Sequence, residues 1–81
     1  MHELGITRRL LEVVLERAAE AGAHRVNAVH LEIGEESDVA PESLAFYWVD
    51  VCRATPAEGA RLLFTTAVDP FSCRVTAVDA D

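Results

Sequence analysis

The chain opens Met1-His2-Glu3, and these residues bring a free α-amine, an imidazole and peptide nitrogens within one chelating step of each other. The α-amine of Met1, the amide nitrogen of His2 and the His2 ring can close adjacent small rings on a single cation. A deprotonated amide nitrogen suits a planar d-block ion. A tetragonal set of nitrogen and oxygen donors therefore points to Ni(II) or Cu(II) rather than to Mg or Ca. The competing reading of so short a motif is an incidental terminal His that is simply solvated.

The remaining reactive side chains are dispersed. Cys52 and Cys73 are too few and too far apart for a zinc spacing motif, and packing in a core or strand is their expected role. His24 is expected to be solvated near a helix end, and His30 to point outward from a strand. Glu35, Glu36 and Asp38 form an acidic connection, which reads as a solvated turn able to dock an Arg-rich partner. No Ser/His/Asp or Cys/His arrangement, phosphate-cradling glycine loop or paired acid and base emerges, so the chain is not expected to be an enzyme.

The elements that must position these groups follow from patterning. With 81 residues, 51% hydrophobic and 26% charged, the chain is expected to form one small domain over residues 1–81 around a modest core. A formal net charge of −7 disfavours nucleic acid and anionic membrane as partners. No stretch approaches the ~20 apolar residues that cross a bilayer, and the first residues lack a basic region followed by an apolar run, so a cytoplasmic protein is expected.

From Glu3 to Ala21, apolar Leu4, Leu11, Val14, Leu15 and Ala18 recur at helical spacing, with Ile6, Leu10 and Val13 widening the stripe. Gly22 suits the C-terminal cap of that helix. Arg25 to Ile33 alternates, with Val29, Leu31 and Ile33 opposed to His30 and Glu32, as in a half-buried strand. Pro41 suits the first position of a second helix reaching Arg53. Its core stripe is Leu44, Trp48, Val51 and Cys52, flanked by Phe46, Tyr47 and Val49. Five large apolar residues in so short a helix exceed the need of one sheet face, so Tyr47 and Trp48 join Glu35 and Glu36 as candidate partner-binding residues. Ala60 to Val68 and Arg74 to Asp79 read as two further strands, joined by turn residues Asp69 to Ser72 and expected to pair as an antiparallel hairpin. The order α-β-α-β-β predicts an α+β domain of two layers, with two helices on one face of a three-stranded sheet.

Four segments then line up with one family: Met1-His2-Glu3-Leu4, His30-Leu31-Glu32-Ile33-Gly34-Glu35, Pro41-Glu42-Ser43-Leu44 and Glu58-Gly59-Ala60-Arg61-Leu62. Over residues 1 to about 68 the chain resembles the nickel-binding domain of the HypA/HybF family of hydrogenase maturation metallochaperones. The resemblance implies that Met1, His2 and Glu3 supply ligands for transient Ni(II), chiefly through the terminal amine, backbone nitrogens and the His2 ring. It also implies delivery, with a maturation GTPase, to the large subunit of a [NiFe] hydrogenase and in some organisms to urease.

The departures are as informative. Proteins of this family usually carry a zinc domain with two Cys-x-x-Cys pairs between the last two strands. Here Cys73 stands where the first cysteine falls, Thr76 takes the place of the second, and one thiol cannot hold a four-coordinate zinc. No zinc domain and no zinc are expected, with the turn at Asp69 to Ser72 in their place and Arg74 to Asp79 as the final strand. Gly5 and Glu36 stand where serine and leucine are more usual. The alternative from a different class is a zinc-less interaction or accessory module that assembles proteins rather than delivering metal, or a homodimer formed by strand pairing.

Overall fold

The structure, a computed structural model, describes residues 2–81, with side chains from Glu3 onward. Its elements are α1 (His2–Glu20), β1 (Val26–Ile33), α2 (Pro41–Val51), β2 (Arg61–Thr66) and β3 (Cys73–Ala80), in the expected α-β-α-β-β order. The fold is α+β, a three-stranded mixed sheet with two helices.

Leu10, Leu11, Val14 and Ala18 of α1 are buried. The charged residues Arg8, Arg9, Glu12, Glu16 and Arg17 remain exposed. That division is what an amphipathic helix needs to lie on a sheet. α1 ends in a glycine cap: Gly22 adopts φ 71°, Gly22 N–H donates to Ala19 O (3.0 Å), and Ala23 N–H donates to Ala18 O (2.9 Å). Positive φ at the residue after a helix costs glycine least, and the two bonds satisfy carbonyls that the helix leaves open.

Pro41 begins α2 as expected, and α2 stops at Val51, two residues before the expected Arg53. A tight turn follows. Thr55 Oγ1 donates to Cys52 O (2.6 Å), Ala57 N–H donates to Thr55 Oγ1 (3.1 Å), and Ala54 takes φ 63°.

Strand order corrects one expectation. β2 and β3 do not form a hairpin: the order is β2-β1-β3, with β1 parallel to β2 and antiparallel to β3. The reason lies in burial. β1 contributes Val26, Ala28, Val29, Leu31 and Ile33 to the core, all at 6% exposure or less, whereas five of the six residues of β2 are exposed. The strand richest in buried side chains takes the centre, where helices cover it and both its backbone edges are paired. Residues 67–72 cross from one edge to the other, a span of two strand spacings or roughly 10 Å, which six residues cover easily.

That crossing passes over the end of β1. Ala67 N–H donates to Ile33 O (3.1 Å), Gly34 N–H to Ser72 O (2.8 Å) and Glu36 N–H to Pro70 O (2.6 Å). Gly34 is buried at the crossing point, where an added Cβ would collide with Asp69 O and the Pro70 backbone. Only glycine allows the two backbones to approach so closely.

Candidate metal centre and partner surface

The N-terminal motif is built on the first turn of α1. The leading N–H groups of a helix have no acceptor within it, so amide nitrogens at this end are not committed to the ladder. Acidic Glu3 sits in that turn, where the helix dipole favours negative charge. Its carbonyl oxygen accepts a hydrogen bond from Thr7 Oγ1 at 2.6 Å, and Thr7 itself is 0% exposed. The bond lies within α1 and closes its first turn on a fully buried side chain. Of the predicted ligands, Glu3 is half-buried on this turn, while Met1 and the side chain of His2 lie outside the described residues.

Thr7 is the supporting residue that the sequence reading passed over. Its position was readable, because residues 7, 11, 14 and 18 mark one helical stripe, and so was its acceptor, because a helical Thr commonly bonds the carbonyl four residues back.

The other predicted groups are placed apart from this end. His30 Nε2 lies 3.2 Å from Asp79 Oδ2 across the β1–β3 pair, and Arg74 Nη2 lies 3.1 Å from Glu32 Oε1 beside it. His24 is exposed. Among the described residues, no three His, Cys, Asp or Glu side chains gather as metal ligands. Cys52 is buried at the C-terminal end of α2, and burial pushes its thiol up to about 12. Burial also raises Cys73, partly offset by a hydrogen bond from Ser37.

Of the candidate partner residues, Glu35 and Glu36 are exposed in the turn after β1, and Tyr47 is half-buried. Trp48 requires a correction. It is only 4% exposed and its indole N–H donates to Ala60 O at 3.3 Å, so it is a core residue rather than a contact surface. A buried indole contributes a large apolar area once its one donor is satisfied, and the α2–β2 junction supplies both. The exposed apolar side chains of α2 are instead Phe46 (71%) and Val49 (65%), with Phe46 edge-on to Tyr47 at 5.3 Å.

With the geometry of the first turn in place, comparison with known proteins is decisive. A family model described as "Hydrogenase/urease nickel incorporation, metallochaperone, hypA" matches residues 1–79. The chain belongs to the HypA family.

The HypA match runs beyond position 68, so it takes in the crossing segment and most of β3. Among curated relatives, the hydrogenase maturation factor HypA of Escherichia coli strain K12 is 47% identical over 62 residues, covering 76% of this chain and 53% of that protein. The HypA of Klebsiella pneumoniae subsp. pneumoniae is 44% identical over 62 residues, covering 76% and 54%. That of Chlorobaculum parvum is 40% identical over 63 residues, covering 78% and 56%. The chain spans about half the length of the curated HypA relatives it matches. Among solved structures, the solution structure of the Ni metallochaperone HypA from Helicobacter pylori superposes with a TM-score of 0.84 at 12% identity, covering 96% of each chain. At that identity the HypA likeness is one of fold.

Proposed function

We propose that this HypA-family chain is a nickel metallochaperone for maturation of a [NiFe] hydrogenase, holding Ni(II) transiently at its N-terminus. The observation that carries the reading is the family match beginning at residue 1, on a chain whose opening residues carry donors spaced for chelation. In this reading the Met1 amine, the His2 amide nitrogen and the His2 imidazole bind the ion, and Glu3 completes the site. Such a chelate constrains the Met1 ψ and the His2 χ1 angles but not the helical backbone from Glu3 onward. Metal can then load and leave while α1 stays intact.

Release follows from the same chemistry. The ligands must shed protons to bind, so affinity falls as pH falls, and a recipient with better donors takes the ion by ligand exchange. The proposed recipient is the hydrogenase large subunit, with a maturation GTPase assisting in the cytoplasm. Glu35, Glu36 and Tyr47 are the proposed partner-facing residues. Among the described residues no helix is long and apolar enough to cross a membrane. We assign the chain cargo transfer rather than catalysis. We also assign it no structural zinc, since Cys52 and Cys73 are its only cysteines and a structural site takes four ligands.

The test is calorimetric titration of Ni(II) into protein with a native, unblocked Met1, alongside His2→Ala and an amine-acetylated sample. One equivalent should bind to the native protein, with affinity lost in both altered forms and reduced on acidification. Equal binding by all three sinks the reading. A zinc-less assembly module is the second reading, favoured by the large apolar side chains exposed at Phe46, Val68 and Phe71. Complex formation that persists undiminished in His2→Ala, without nickel binding, selects it.

A further inference from the structure

The end of the sheet where residues 67–72 cross from β2 to β3 carries apolar side chains that the core does not use. Val68 is 103% exposed and Phe71 is 73% exposed. Single exposed apolar residues are ordinary, but these two stand on a short segment whose backbone is pinned along its length. Besides its bonds to Ile33, Gly34 and Glu36, Ser72 N–H donates to Asp69 O (3.2 Å), and the Asp69 carboxylate accepts from Phe71 N–H (2.9 Å). A pre-ordered segment loses little conformational freedom when a partner seats on it. Beside Val68 a depression of about 480 Å³ opens onto Thr66, Asp69 and the Glu32–Arg74 ion pair, with room for side chains of an incoming segment.

Charge identifies that segment. Residues 34–40 and 67–72, joined by the Glu36–Pro70 bond, contain Glu35, Glu36, Asp38 and Asp69 and no Arg, Lys or His. All four carboxylate residues are exposed. Nearby Arg74 is engaged by Glu32. Nucleic acid and anionic lipid are repelled by such a rim, and a second copy docking end to end would set like charges against each other. An apolar centre within an acidic rim fits a polypeptide that is apolar where it meets Val68 and Phe71 and basic around that contact.

We propose that the crossing segment is a docking site for a basic amphipathic polypeptide segment, with Val68 and Phe71 as apolar anchors and Glu35, Glu36, Asp38 and Asp69 as the charged rim. This rests on the partner-facing reading of Glu35 and Glu36 and is independent of nickel binding. The test uses the full ¹⁵N-labelled chain and a synthetic helical peptide bearing a Leu stripe and an Arg face, with a Leu/Glu peptide as control. The Leu/Arg peptide should shift amides of residues 34–38 and 67–72, weaken as salt rises, and lose about tenfold or more in affinity in a Val68→Ser/Phe71→Ser chain. Both residues are exposed, so that variant should keep its fold and its nickel titration.

Shifts centred on Phe46 and Val49, or unchanged affinity in the double variant, overturn the proposal. So does unchanged affinity in Glu35→Gln/Glu36→Gln, which would leave the acidic rim without a role. Equal binding of the Leu/Glu peptide, or amide shifts on adding phosphatidylserine vesicles, also overturns it. Failure of nickel binding in His2→Ala with peptide docking intact leaves the docking site standing, so the two readings are separable.

Discussion

Cys52 is the residue whose chemistry the fold alters most. At 1% exposure its thiol is held neutral, and burial moves its pKa from 9.0 to about 12. In the unfolded chain the thiol ionises near 9; in the fold it does not. Ionisation therefore favours unfolding, and the stability tied to the neutral thiol is fully present below pH 9 and lost as pH rises toward 12. The urea midpoint of the native protein should fall more between pH 8 and pH 10.5 than that of Cys52→Ala, and parallel pH slopes refute the assignment. Trp48 teaches the complementary lesson. Its type suited either a core or an interface, and only the carbonyl of Ala60 within reach of the indole N–H decides for the core.

At the scale of elements, α1 was readable almost to the residue because its apolar stripe, acidic first turn and glycine cap agree with one another. Its one internal weakness is Gly5, around which a Cβ meets nothing within 4 Å. Gly5→Ala should therefore stabilise the protein by up to ~1 kcal/mol, raising its melting temperature by roughly 4–8 °C in a domain of this size. A lower melting temperature in a thermal scan contradicts the assignment of an open, helical Gly5. α2 ends sooner than its apolar run suggests. Thr55 closes a compact turn on the carbonyl of Cys52, the residue after α2, and Ala54 adopts a left-handed conformation that no pattern of apolar residues announces.

For the whole molecule, topology turns on the crossing of residues 67–72 over the end of β1. A methyl group at Gly34 would overlap the backbone of Asp69 and Pro70, and neither carbonyl can retreat without breaking the bonds that hold the crossing. Gly34→Ala should cost several kcal/mol, on the order of 3 as for other overpacked or strained sites. Equilibrium urea denaturation would measure this, and a loss below the effect of a neutral surface substitution argues against the crossing as described. The same crossing brings Asp69 beside Glu35 and Glu36 and lifts Val68 and Phe71 into solvent, so the candidate docking surface exists only because β2 and β3 are not neighbours.

Element types and order were legible in the amino-acid sequence alone, because helical and strand periodicity are local properties of the chain. The proposal of a chelating set at Met1, His2 and Glu3 also comes from the sequence, since those donors are neighbours in the chain and need no tertiary contact to meet. The tertiary structure alone decided the strand order, the burial of Trp48 and the acidic, apolar end of the sheet. Each depends on residues far apart in sequence meeting, and which meetings occur is set by competition for the centre of the core, won here by β1.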